Sequence, residues 1–196
     1  MNQKIREIVE QIVKLEDELK VELEKEEIKV PFKIEKGRIW FDSETLQKQK
    51  EALIDLYHYI KSSEILYIVT APVIYAVIIP AIFLDIFVSV YQAINFRVYK
   101  IPLVKRSDYI VFDRQYLGYL NFVEKVNCLY CSYFNGLMAY AGEVAARTEQ
   151  FWCPIKHAKK IAYRHRYYDK FTAYGDTNYH KKLEALRKEL QEKYTG

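Results

Sequence analysis

The sequence predicts a mainly α, membrane-embedded helical protein with amphipathic terminal helices and a small β-hairpin. Three observations carry this expectation. From Ile65 to Leu84 run 20 residues without a charge, and at about 1.5 Å rise per residue they match a hydrocarbon core of about 30 Å. Both ends of the chain carry apolar residues at helical spacing. One short stretch near the N-terminus alternates with period two.

The elements follow in order. Ile5, Ile8, Ile12, Leu15 and Leu19 step by three and four, a short heptad seam on a helix from about residue 3 to 27. It reads as an amphipathic helix packed on its own protein, or as a zipper joining two copies into a homo-oligomer. Ile28, Val30, Phe32 and Ile34 then alternate with polar residues, Lys36-Gly37 can turn the chain, and Ile39-Trp40-Phe41 can return it. Pro31 suits an edge. Ser43 is expected to cap a helix reaching about Lys61. These 61 residues form a first, soluble region.

Residues 62–98 form the hydrophobic segment. Pro72 and Pro80 can kink it. It reads as one tilted span or as a re-entrant hairpin bending near Pro80. Asp85 is the lone ionisable group in the run. A carboxylate there is a proton or ligand contact, or it marks the membrane boundary with 86–96 as an interfacial helix. Residues 99–160 are expected to be a helical Cys/His-containing core, mainly helical from 109 to 150. Val126 to Gly142 is a second uncharged stretch of 17 residues and a possible second membrane segment. Residues 161–196 are a basic, Tyr-rich tail. They end in an amphipathic helix with Leu183, Leu186 and Leu190 on one side, able to pair with the N-terminal helix.

The net charge of +4 is unevenly spread. Residues 1–64 sum to −3, residues 65–96 to −1 and residues 97–196 to +8. A basic half beside an apolar segment points to a bilayer with anionic headgroups. Nucleic acid ranks second, through the stretch from Lys156 to Lys170, where rings and cations interleave. No Gly-rich phosphate loop, G-x-S-x-G elbow or H-E-x-x-H helix is present, so the commonest nucleotide, hydrolase and metalloprotease readings fall away.

The three cysteines, Cys128, Cys131 and Cys153, lie in one short stretch with His157 just behind. Three sulfurs and an imidazole make a tetrahedral set for zinc or iron. On helices, Cys128 and Cys131 share a face, and so do Cys153 and His157. Pro154 suits the first position of a helix, so Cys153 is expected at a helix N-terminus, where the macrodipole favours a thiolate. An odd cysteine count and a charged N-terminus point to reduced thiols facing the cytosol. A redox thiol pair and simple packing are the other readings.

Glu143, Arg147 and Gln150 form one polar stripe, with Glu149 beside it. The stripe is an ion pair that holds the helix, or it makes Glu143 or Glu149 a hydrogen-bond partner of His157 or a general base at a metal-bound water, with Arg147 and Gln150 binding a substrate. Asp85 is a further substrate-contact candidate.

The run from Asn127-Cys128 through Arg147-Thr148-Glu149-Gln150-Phe151-Trp152-Cys153-Pro154-Ile155-Lys156-His157-Ala158 resembles a segment in a family of uncharacterised bacterial membrane proteins. The likeness covers about 50 residues, near Asp108 to Ala158. It implies a place in the bacterial cytoplasmic (inner) membrane and no particular reaction. The functional expectation is therefore a membrane protein with a cytosol-facing Cys3His metal site in a structural or assembly role. The alternatives are a membrane enzyme acting on a lipid or quinone-like substrate through Cys153, Glu149 and His157, and an RNA-binding adaptor.

Overall fold

The computed structural model describes residues 3–26 and 30–194. The chain divides into two units, Met1–Lys50 and Glu51–Gly196. In the first, a helix runs over Gln3–Glu26. Its seam residues Ile8, Ile12, Leu15 and Leu19 are all about half exposed, while the Ile5 side chain lies outside the described ones. Phe32–Glu35 pairs with Arg38–Phe41 as an antiparallel hairpin, Phe32 opposite Phe41. Lys36 and Gly37 both take positive φ, +51° and +75°, as a two-residue hairpin turn with the right twist requires. Ile28, read as the first residue of the alternation, lies outside the described residues.

The helix expected from Ser43 to Lys61 is two helices, Ser43–Glu51 and Leu56–Ser62. Asp42, not Ser43, caps the first by accepting from the Thr45 N–H at 3.0 Å. Asp55 caps the second, accepting from the N–H groups of Tyr57 and His58 at 2.9 and 3.0 Å. A second cap inside the stretch is what splits it.

The second unit is built on two long helices. The apolar helix extends over Ile65–Tyr99, with one turn residue, Val77, between its Ile65–Ala76 and Ile78–Tyr91 parts. It does not fold back at Pro80. The proline costs one hydrogen bond there, and the chain continues past it, so the re-entrant hairpin is not the structure. At Gln92–Phe96 it widens into a π turn. It ends where Lys100 enters the left-handed region at φ +56° and the Ile101 N–H returns to the Phe96 carbonyl at 2.8 Å. The central helix spans Phe122–Trp152. A reciprocal capping box opens it: Glu124 N–H donates to Asn121 Oδ1 at 3.0 Å, and Asn121 N–H donates to Glu124 Oε2 at 2.9 Å.

The two helices run parallel. Tyr75 donates to Asn127, Tyr133 donates to Asp85 at 3.0 Å, Tyr91 bonds Thr148 at 3.1 Å, and Tyr99 stacks on Phe151. Partner numbers rise together along both helices. Parallel neighbours need a return chain, and residues 100–121 supply it. This connector is extended apart from short turns at Arg106–Asp108 and Arg114–Tyr116, so helix does not begin at 109 as expected.

Gln92, 8% exposed, holds the connector in place. Its amide donates to the Val104 carbonyl and accepts from the Val104 N–H, both at 3.0 Å. It satisfies the connector's backbone as a neighbouring strand would. Its Nε2 also donates to Tyr140 Oη at 2.6 Å. Farther along, Arg106 grips Asp85 with two hydrogen bonds, 3.0 and 2.6 Å. The core joins Phe96, Ile101, Val104 and Ile110 to Leu137, Tyr140, Val144 and Phe151.

The C-terminal helix, Tyr179–Gln191, buries Leu183, Leu186 and Leu190 as expected. Its neighbour is the central helix. Because the long helices are parallel, their C-terminal carbonyls lie at one end, and this helix supplies donors to both. Arg187 Nε donates to Phe151 O at 2.7 Å, and Gln191 Nε2 donates to Tyr99 O at 2.9 Å.

Gly136 sets the connector's closest approach. A Cβ there would strike the Tyr109 carbonyl oxygen and lie 3.0 Å from Ile110 Cα. Alanine normally stabilises a helix interior by about 1 kcal/mol over glycine. Backbone cannot yield here, so Gly136→Ala is expected to cost about 2 kcal/mol or more, read as a fall in thermal unfolding temperature.

Candidate functional site

The central helix is one 31-residue rod, and this decides the fate of the cysteine motif. Cys131 and Cys153 stand 22 positions apart, about 33 Å along its axis. No group of three or more His, Cys, Asp or Glu side chains able to hold a metal occurs among the described residues. Cys128, Cys131, Cys153 and His157 therefore do not converge, and the expected zinc or iron site is not formed. The physical reason is the absence of any helix breaker between Phe122 and Trp152.

Cys153 also sits at the wrong end of a helix. Pro154 follows the central helix instead of opening another, since its ring cannot continue the turn. At a C-terminus the macrodipole opposes a thiolate. Burial pushes the Cys153 thiol up, and the nearby Glu149 charge pushes it further. The expected low-pKa nucleophile is absent. His157 lies in the following segment, where its N–H donates to the Tyr168 hydroxyl at 2.7 Å and its ring stacks on Tyr168.

What the fold does bring together is a polar layer centred on Glu143. Its carboxylate, 9% exposed, accepts from Arg147 Nε at 2.8 Å, Arg166 at 2.5 Å and the Tyr167 hydroxyl at 2.6 Å. Arg147 further donates to the Pro102 carbonyl at 2.6 Å, tying the central helix to the start of the connector. Burial pushes the Glu143 carboxyl up. The hydrogen bonds from Tyr167, Arg147 and Arg166 outweigh that and hold it below its usual 4.5.

Glu149 pairs with His165, not His157, at 3.0 Å. Because His165 Nδ1 accepts from the Tyr167 N–H at 3.2 Å, its Nε2 carries the proton toward Glu149. Part of the basic, aromatic stretch meets the protein: Arg166 and Tyr167 bond Glu143, His165 bonds Glu149, and Lys170 pairs with Glu189 at 2.5 Å, while Lys159, Lys160 and Arg164 are exposed. Sequence reading placed Glu143, Arg147 and Gln150 in one stripe with Glu149 beside it; the structure keeps the Glu143–Arg147 pair and turns Glu149 to His165. That reading placed His165, Arg166, Tyr167 and Lys170 in a stretch for lipid headgroups or nucleic acid and not beside Glu143 and Glu149, and it did not single out Lys193. The one available signal was the R-H-R-Y-Y run, read as an open patch.

Two cavities flank this layer. One, about 470 Å³, is lined by Arg147, Gln150, Arg166, Tyr167, Lys170 and Lys193. The other, also about 470 Å³, is mostly apolar and includes Tyr91, Thr148, Glu149, Trp152 and Cys153. Asp85 joins neither; it is held by Arg106 and Tyr133 between the two helices. Comparison with protein-family models, curated proteins and solved structures finds no match.

Two outcomes follow. Elemental analysis of the purified chain is expected to find no zinc or iron whose retention depends on both Cys128 and Cys153. Glu143→Gln is expected to cost about 2 kcal/mol at neutral pH. Since the folded carboxyl titrates below 4.5, that contribution is complete above the unfolded value and disappears as pH falls through the folded one. Parent and variant should converge in chemical denaturation on the acid side.

Proposed function

We propose that the chain is a non-catalytic assembly protein of the bacterial cytoplasmic membrane, anchored by the apolar helix with its free face in lipid. One observation carries this: the helix is inverted. Its polar residues Asp85, Ser89 and Gln92 turn toward the protein and are hydrogen-bonded there. Val69, Val73, Phe83, Phe87, Val90, Ile94 and Val98 turn outward, each more than half exposed. Only 11% of the most apolar stretch is buried inside the protein, so it is no core helix. In water these seven side chains alone forgo on the order of 10 kcal/mol of burial, comparable to the whole stability of a domain. In lipid that cost disappears.

The connector argues for embedding along one leaflet instead of a simple span. It runs beside the helix as extended chain with Asp113 and Arg114 exposed. A span would draw those charges and unpaired backbone groups through hydrocarbon. Lying along the leaflet, the helix keeps the connector on the protein side. Arg97 and Lys100 at its end meet anionic headgroups, each worth about 1 kcal/mol near a charged surface. The resemblance near Asp108 to Ala158 supports the bacterial membrane. The exposed seam of Ile8, Ile12, Leu15 and Leu19 supports self-association, and hence an assembly role.

Flotation with vesicles tests the anchor. The full chain should float with phosphatidylglycerol-containing vesicles, and Phe87→Asp with Val90→Asp should weaken that by at least about tenfold. A chain that stays monodisperse in buffer and ignores vesicles would sink the proposal.

A second reading, an enzyme for a lipid or quinone-like substrate, has one observation behind it: Glu149 and Cys153 line the apolar cavity. It requires a reactive thiol. In a Cys128→Ser, Cys131→Ser background, alkylation of Cys153 at neutral pH should run slower than that of a free thiol; faster alkylation would favour the enzyme.

A further inference from the structure

We propose that the cavity lined by Arg147, Gln150, Arg166, Tyr167, Lys170 and Lys193 binds a phosphate monoester. This site is independent of the membrane anchor. Its volume, about 470 Å³, suits a small ligand and not a polymer.

Charge is the first argument. Four cations face the cavity: Arg147, Arg166, Lys170 and Lys193. Two carboxylates pair with them. Glu143 meets Arg147 and Arg166, and Glu189 meets Lys170 and Lys193 at 2.5 and 3.4 Å. Two cations against each carboxylate leave a formal excess of two positive charges. A phosphate monoester carries close to two negative charges at neutral pH. A carboxylate or a phosphodiester carries one. Guanidinium groups match phosphate oxygens in charge and geometry.

The second argument is independent of charge. Gln150 is 2% exposed, yet its Oε1 is buried with no hydrogen-bond partner among the described residues. Buried acceptors without donors are rare in folded proteins. Gln150 lines this same cavity. A turn of the Gln150 side chain into the cavity would present this acceptor to a hydroxyl on the organic part of an ester, a donor that a bare anion lacks. Arg147 is preset for the task, since the Pro102 carbonyl and Glu143 fix its guanidinium. Arg166 and Lys193, both 63% exposed, form the rim.

The ester can be a free metabolite or the headgroup of a lipid, and the test separates these. The full chain in mild detergent is titrated with inorganic phosphate, glycerol 3-phosphate and glycerol, followed by thermal shift and calorimetry. Phosphatidylcholine vesicles with and without phosphatidic acid form the lipid arm. Arg166→Gln and Lys193→Gln remove exposed rim charges, with circular dichroism as the check on folding. Gln150→Met removes the unpaired oxygen.

Glycerol 3-phosphate should raise the melting temperature, and each rim variant should weaken binding about tenfold. Gln150→Met should raise the melting temperature of the ligand-free protein and shrink the ligand-induced rise. A purely structural glutamine would change only the first. Rim-dependent binding of the soluble ester assigns a free metabolite; rim-dependent binding of phosphatidic acid alone assigns a headgroup. Either supports the site. No binding, binding indifferent to Arg166 and Lys193, or inorganic phosphate matching the ester would overturn it.

Discussion

The amide of Gln92 is the contact on which the second unit depends. Two parallel helices cannot be joined by a short turn, so a chain must travel back along their whole length. That chain brings backbone donors and acceptors into an apolar seam, where each unpaired group is costly. Gln92 meets both polar groups of Val104, and the π turn begins at this residue. Asp85 and Arg106 secure the next stretch, and Gly136 leaves room for the Tyr109 and Ile110 backbone. Without these three devices the connector has no place along the helix pair, and the parallel arrangement loses its link.

The same arrangement governs the chemistry. Parallel helices gather their C-termini at one end, and the C-terminal helix covers them with Arg187 and Gln191. Beside that cover, Glu143 collects Arg147, Arg166 and Tyr167, and the cationic cavity opens. The apolar helix turns its polar groups toward this interior and its hydrocarbon outward. The exposed apolar face and the cationic cavity are lined by different residues of one framework.

Much of this was legible at the level of single elements. The hydrophobic segment 62–98 located the apolar helix, Ile65–Tyr99, to within a few residues. Lys36-Gly37 located the hairpin turn, and Leu183, Leu186 and Leu190 located a buried face. The spacing of Glu143 and Arg147 gave a pair that is present at 2.8 Å. The cysteine motif misled because ligand spacing is a local signal. Whether Cys131 and Cys153 can meet depends on a break in the intervening chain, and Gly136 and Gly142 do not break a helix whose packing holds it. Pro154 misled in the same way: it permits a helix start and equally enforces a stop.

By itself, then, the sequence determined the hydrophobic inventory and the periodicity of each element, because burial of apolar faces acts over a turn or two of chain. Tertiary structure alone decided that the long helices lie parallel, that residues 100–121 run back beside them, and that Arg166, Tyr167 and Lys193 join Arg147 and Gln150. Those are pairings across tens of residues. They rest on hydrogen bonds such as that of Gln92 with Val104, whose partners no local pattern announces.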